Sequence, residues 1–135
     1  MEAKITKNFT LEELCHSNTA VAKGLKNIPD ETQTRNLKAL AVNLLQPVRD
    51  IYGKPMYINS GFRSPEVNKA VGGSPTSQHM KGEAADVASV HPAELVECLK
   101  RSGLDFDQCI QYSSFVHLSL KLSGQNRRQY LKGRY

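Results

Sequence analysis

The sequence predicts an α+β domain in which a small, mainly antiparallel sheet is packed with helices. Two observations carry that expectation. The first part of the chain is dominated by helix signals, and the second interleaves short runs of β-formers with helical segments. A third sets the scale: 135 residues suit a single domain, 1–135, with one core.

The elements come in this order. Thr10 and Glu13 form a capping box for a short helix from Leu11 to about His16. The stretch SNTAVAKGLKNIPD then reads as a loop, with Pro29 and Asp30 opening the longest helix. Leu37, Leu40, Leu44, Leu45, Val48 and Ile51 fall on one face of it, Pro47 predicts a kink, and Gly53 is the stop. Met56, Tyr57 and Ile58 read as a strand ended by Gly61. Ser64 caps a short helix with Pro65 at its first position, closed by Gly72 and Gly73. GGSPTSQHMKG is a loop and EAADVAS a strand. HPAELVECLKRSG is a helix with Leu95, Cys98 and Leu99 on its apolar face and Gly103 as the stop. FDQCIQY and FVHLSLKL are two strands separated by Ser113 and Ser114.

A hydrophobic fraction of 39% and a charged fraction of 23% belong to an ordinary globular protein. No apolar run approaches the roughly 20 residues of a membrane helix, so membrane insertion is not expected. MEAKITKNFT has no apolar stretch after its lysines, so the chain is expected to carry no secretory signal and to be cytoplasmic as synthesised. Cys15, Cys98 and Cys109 are too irregularly spaced for a disulfide framework and are expected to be reduced and packed. The net charge is +5, and Arg127, Arg128, Lys132 and Arg134 form a basic tail over about 124–135, expected to be solvated. No nucleic-acid motif accompanies it, which argues against a nucleic-acid partner.

The histidines narrow the chemistry. His16 and His91 stand at helix ends and read as structural. His79 lies in a glycine-containing loop, Asp86 in the next strand, and His117 inside an apolar strand between Val116 and Leu118. If the His117 and Asp86 strands pair, all three side chains can meet. Three protein ligands with a fourth position open is the arrangement of a catalytic zinc, at which bound water has a pKa of about 7.

The segments SGFRSPEVNKAVGGSPTSQHMKGEAADV and FVHLSL resemble the zinc D-Ala-D-Ala carboxypeptidase family of peptidoglycan peptidases. Its S-x-H-x-x-G-x-A-x-D motif is met by Ser77, His79, Gly82, Ala84 and Asp86, its later V-H strand by His117, and its S-G-[YF]-R-S by the segment holding Arg63. The resemblance runs from about Phe9 to about Leu122. It implies the hedgehog/DD-peptidase fold, zinc held by His79, Asp86 and His117, and a peptidoglycan peptide as substrate. It also implies substrate binding and oxyanion stabilisation by Arg63, whose planar fork suits a carboxylate or carbonyl oxygen. Gly82 serves a tight turn, Ala84 leaves room, and Ser77 either touches substrate or fixes the loop.

The match departs at the general base. Many relatives carry an acidic residue, and some a His, shortly before the final His. Here those positions are Tyr112, Ser113 and Ser114, which resembles a Y-P-x-F-V-H-like ending with Ser113 in place of Pro. Two catalytic candidates remain, Asp107 as base and Tyr112 as a donor to the oxyanion. A regular strand turns only one of them to the metal, and Tyr112 is favoured. The expected function is zinc-dependent hydrolysis of stem peptides or cross-links, of carboxypeptidase or endopeptidase type, at a wall reached by phage-type lysis. The alternative is a zinc-containing wall-binding module without turnover.

Overall fold

The structure is a computed structural model that describes residues 4–122 and 124–133. Its helices are α1 (Leu11–Cys15), α2 (Asn18–Lys23), α3 (Glu31–Leu40), α4 (Gln46–Tyr52), α5 (Pro65–Ala70) and α6 (Pro92–Ser102). Its strands are β1 (Tyr57–Ser60), β2 (Ala84–Ala88), β3 (Gln108–Gln111), β4 (Phe115–Ser119) and β5 (Gln129–Lys132). They form one sheet in the order β1-β2-β4-β3-β5, antiparallel except where β5 pairs parallel with β3. The α+β class expected from the sequence is the observed one.

Helix α3 starts at a capping box, in which Asp30 accepts from the Gln33 amide and Gln33 reaches back to the Asp30 amide. It runs through a π turn at Ala41–Leu45 directly into α4, which ends at Gly53 in the left-handed conformation. The wide turn sits just before Pro47, where the ring would crowd the preceding turn of a regular helix. The departure from regular helix expected at Pro47 takes the form of this local widening. A π turn spends more residues per revolution and so rotates the helix beyond it. Ile51 is therefore turned outward, 48% exposed, while Tyr52 is 4% exposed in the core. The other five expected positions, Leu37, Leu40, Leu44, Leu45 and Val48, are fully buried.

One pleat rule separates core from cleft. Ala85 and Val87 of β2 and Val116 and Leu118 of β4 share the core with α3, α4 and α6, whose Leu95, Cys98 and Leu99 are buried there. Asp86 and His117 face the other way. Burial pushes the thiol of Cys109 up to about 12 and that of Cys15 to about 11, and all three cysteines are free.

One expectation is corrected. SNTAVAKGLKNIPD is not all loop: Ser17 accepts from the Ala20 amide and Gly24 ends α2 in the left-handed conformation. The described part of the basic tail is largely solvent-exposed, and it also pairs with the sheet. Residues 129–132 complete the open edge of β3, and Arg128 donates to Asp105. Arg134 lies outside the described residues. No helix among the described residues is long and apolar enough to cross a membrane.

Candidate metal centre

The site is built on one row across four strands. Ser60 of β1 stands opposite Asp86 of β2, Asp86 opposite His117 of β4, and His117 opposite Ile110 of β3. An irregularity between Ile58 and Ser60 sets the first of these pairings. His79 arrives from outside the sheet, on a 3-10 turn at Gln78–Lys81. Gly82 ends that turn with φ of 74°, and a Cβ there would run into the backbone of Gln33 in α3. Both features reserve the position for glycine and press the His79 turn against the helix layer.

The three side chains expected to hold a metal converge. Their ligand atoms all lie within 4.8 Å of one another. His117 Nδ1 is 2.9 Å and His79 Nε2 3.4 Å from the same oxygen of Asp86, Oδ1. His79 Nδ1 lies 2.7 Å from the Gly61 carbonyl oxygen. A carbonyl can only accept, so Nδ1 carries a proton toward Gly61, and Nε2 is the nitrogen turned to Asp86 and open to a metal. His79 is 3% exposed. Burial pushes the Asp86 carboxyl up, but hydrogen bonding with His117 and His79 outweighs it and holds the group well below the usual range. Two imidazole nitrogens and an ionised carboxylate are a donor set that zinc accepts.

These ligands lie at the floor of an open cleft of about 710 Å³. Arg63 lines it, with Nη2 3.7 Å from Asp86 Oδ2. Its Nε donates to Ser60 Oγ at 3.1 Å and Nη1 to Asn68 Oδ1 at 3.3 Å. Burial lowers the Arg63 pKa and Asp86 opposes that shift. Ser77 also lines the cleft, and its Oγ accepts from the His79 amide at 3.2 Å. Ala84 is fully buried and is not part of the lining.

The family model described as peptidase M15 matches residues 7–119. The chain belongs to the peptidase M15 family. Over 84 residues it is also 38% identical to a protein named zinc D-Ala-D-Ala carboxypeptidase from Streptomyces albus G. That match covers 61% of this chain and 31% of the relative, so the chain spans less than a third of the relative's length. Zinc is the cation these M15 relationships imply for the His79, Asp86 and His117 site.

The two catalytic candidates of this M15 chain separate in space. Gln108, Ile110 and Tyr112 line the cleft from the β3 side. The Tyr112 ring stacks on Phe115 at 4.4 Å, and Gly133 packs so closely on it that a Cβ could not be accommodated. Asp107 is 0% exposed and is not part of the cleft lining. It accepts from Arg127 Nε at 3.0 Å, Arg127 Nη2 at 2.8 Å, the Arg127 amide at 3.0 Å and Gln78 Nε2 at 2.8 Å. The side chain of Arg127 drives its carboxyl well below the usual range, burial opposes the shift in part, and Gln78 adds to it. So engaged, Asp107 is a poor proton acceptor near neutral pH.

Residues not singled out from the sequence complete the site. Gly61 orients His79, Asn68 and Ser60 hold Arg63, and Gln78 ties the His79 turn to Asp107. The sequence signal for Gln78 is its place beside His79, and that for Ser60 and Gly61 is the S-G-[YF]-R-S segment that holds Arg63; Asn68 acts through a contact that no local pattern announces. His16 and His91 lie elsewhere, His16 bonded to Asn18 and the His91 amide to the Tyr52 hydroxyl.

Proposed function

We propose that this chain is a zinc-dependent hydrolase of peptidoglycan stem peptides, of the D-Ala-D-Ala carboxypeptidase type. The supporting observation is the convergence of His79, Asp86 and His117 on one point of an open cleft beside Arg63. His79 Nε2, the Asp86 carboxylate and His117 Nδ1 would hold the ion. Zinc, when bound, polarises a carbonyl and brings the pKa of a bound water to about 7.

The chain's own residues do the rest. Gly61 fixes the His79 tautomer, and Asp86 stays ionised in its histidine environment. Arg63, held on two sides, presents a guanidinium to the scissile carbonyl oxygen or to a terminal carboxylate. The carboxypeptidase reading rests on this placement, because the guanidinium beside the ligands can pair with a chain-end carboxylate. Tyr112 donates its phenolic proton to the developing oxyanion from the β3 side of the cleft. Ser77 holds the His79 turn and reaches substrate with its remaining hydrogen-bonding capacity. Release by phage-type lysis is the route to the wall on this reading.

One observation favours a second reading. No acid stands between Tyr112 and His117, and Asp107 is engaged by Arg127, so a zinc-containing wall-binding module without turnover is the rival. Digestion of D-Ala-D-Ala-terminated muropeptides, read by mass spectrometry with and without chelator, separates the two. Chelator-sensitive release of D-Ala supports the carboxypeptidase, and internal cleavage supports an endopeptidase. Stoichiometric zinc with wall binding and no cleavage would leave the module.

A further inference from the structure

The cleft continues beyond the metal ligands to a charged end that the reaction above does not use. Glu83 lies there, three residues before Asp86 and so roughly 10 Å from it along the strand direction. Its backbone is pinned on both sides: its amide donates to the Gln78 carbonyl and its carbonyl accepts from the Leu120 amide. The residue is only 8% exposed and lines the cleft. Among the described residues no hydrogen bond or ion pair reaches its carboxylate. The residue is thus mostly buried while its unpartnered carboxylate oxygens stay accessible from the cleft, where a ligand can meet them.

Its charged surroundings are specific. Burial pushes the Glu83 carboxyl up, while Lys81 and Lys121 partly offset that and Asp107 adds to it. Glu83 therefore belongs with Lys81, Lys121 and Asp107 at the far end of the cleft. Arg127 lines the same end, but its charge is matched by Asp107. Lys121 Nζ stands 3.7 Å from Asp107 Oδ1 with its side chain one-third exposed. Lys81 is exposed. The end of the cleft therefore offers one pinned anion between two lysines. A lone ammonium would meet two cations for one anion, and a lone carboxylate would meet Glu83. A carbon bearing both an ammonium and a carboxylate satisfies both.

We propose that Glu83, Lys81 and Lys121 form a side-chain subsite for a diamino acid of the stem peptide whose side chain ends in an amino-carboxylate, Glu83 taking the ammonium and the lysines the carboxylate. The subsite deepens the peptidase reading and rests on it for the identity of the peptide. It selects against a lysine-type residue, whose side chain ends in ammonium alone, and against an amidated carboxylate.

Two D-Ala-D-Ala-terminated pentapeptides differing only in the third residue, meso-2,6-diaminopimelate or lysine, are hydrolysed by the zinc-loaded protein. In parallel, the corresponding tripeptides are titrated calorimetrically. The expected result is a KM, and a tripeptide Kd, about tenfold lower for the diaminopimelate peptides. Glu83→Gln and Lys121→Met should each bring that ratio close to one. Equal affinity for the two tripeptides, or a preference that survives both substitutions, overturns the subsite whatever the hydrolysis shows. Retained preference in binding with no cleavage of either pentapeptide supports the subsite and counts against the peptidase reading alone.

Discussion

Asp86 is the residue on which the centre turns, because both imidazoles approach the same oxygen. Its replacement removes a ligand and the anion that orders the other two. Asp86→Asn, His79→Ala and His117→Ala should each reduce bound zinc from one equivalent to near zero by metal analysis and lower turnover at least about 1000-fold. Retention of stoichiometric zinc in any of them would remove that residue from the site. Arg63 acts on developing charge, so Arg63→Ala should lower kcat by about 100- to 1000-fold, the range seen when an oxyanion donor is lost. Arg63→Lys should recover only part, since a single ammonium cannot serve Ser60, Asn68 and a substrate oxygen at once. For Tyr112→Phe the reading expects a lower kcat with KM nearly unchanged; a change confined to KM would restrict Tyr112 to packing. The three metal-site candidates were legible because each is chemically conspicuous in its local setting. The role of the Gly61 carbonyl, which orients His79, was not, because a backbone acceptor has no side-chain signature.

Elements carry the next level of information. The continuous run from α3 through α4 presents an apolar stripe to the sheet, and Leu44 lies fully buried within its π turn. Leu44→Ala should cost about 2–5 kcal/mol in urea unfolding. Ile51→Ala should change stability far less, because the π turn has rotated that side chain to the surface. The segment leading into β5 belongs to the site's support through Arg127, which holds Asp107, which holds Gln78 beside His79. Asp107 keeps its charge in the folded state at pH values where the unfolded chain, with a carboxyl near the ordinary 3.9, takes up a proton. Its contribution to stability is thus complete above about pH 5 and lost as the pH falls below about 4 and on through the depressed folded pKa. Asp107→Asn should lower the melting temperature at pH 7 and flatten the acid side of the stability profile. An unaltered acid limb would show that the Arg127 pairing is not stabilising.

At the scale of the molecule, core and metal site are separate bodies of interaction. The core residues of α3, α4, α6, β2 and β4 pack without any metal ligand among them. Removal of zinc by chelator should abolish activity while leaving the far-UV circular dichroism nearly unchanged; global unfolding would contradict that separation. Deleting residues 127–135 should disturb the site itself. Zinc affinity and melting temperature should both fall, because Arg127, the β3–β5 pairing and the Gly133 packing on Tyr112 go together. Unchanged zinc affinity and melting temperature would show that this end does not support the site.

The sequence by itself determined the α+β class, most helices and their caps, and the three metal-site candidates. Those features are written in local spacing: Thr10 with Glu13, Asp30 with the leucines of its helix, His79 seven residues before Asp86. Only the tertiary structure decided that Asp86 and His117 stand opposite each other, that Asp107 is consumed by Arg127, and that the chain's basic end closes the sheet. The physical reason is the range of the interactions. Caps and periodicities act over a few residues, whereas strand register and buried ion pairs join residues that meet only when the whole chain has packed.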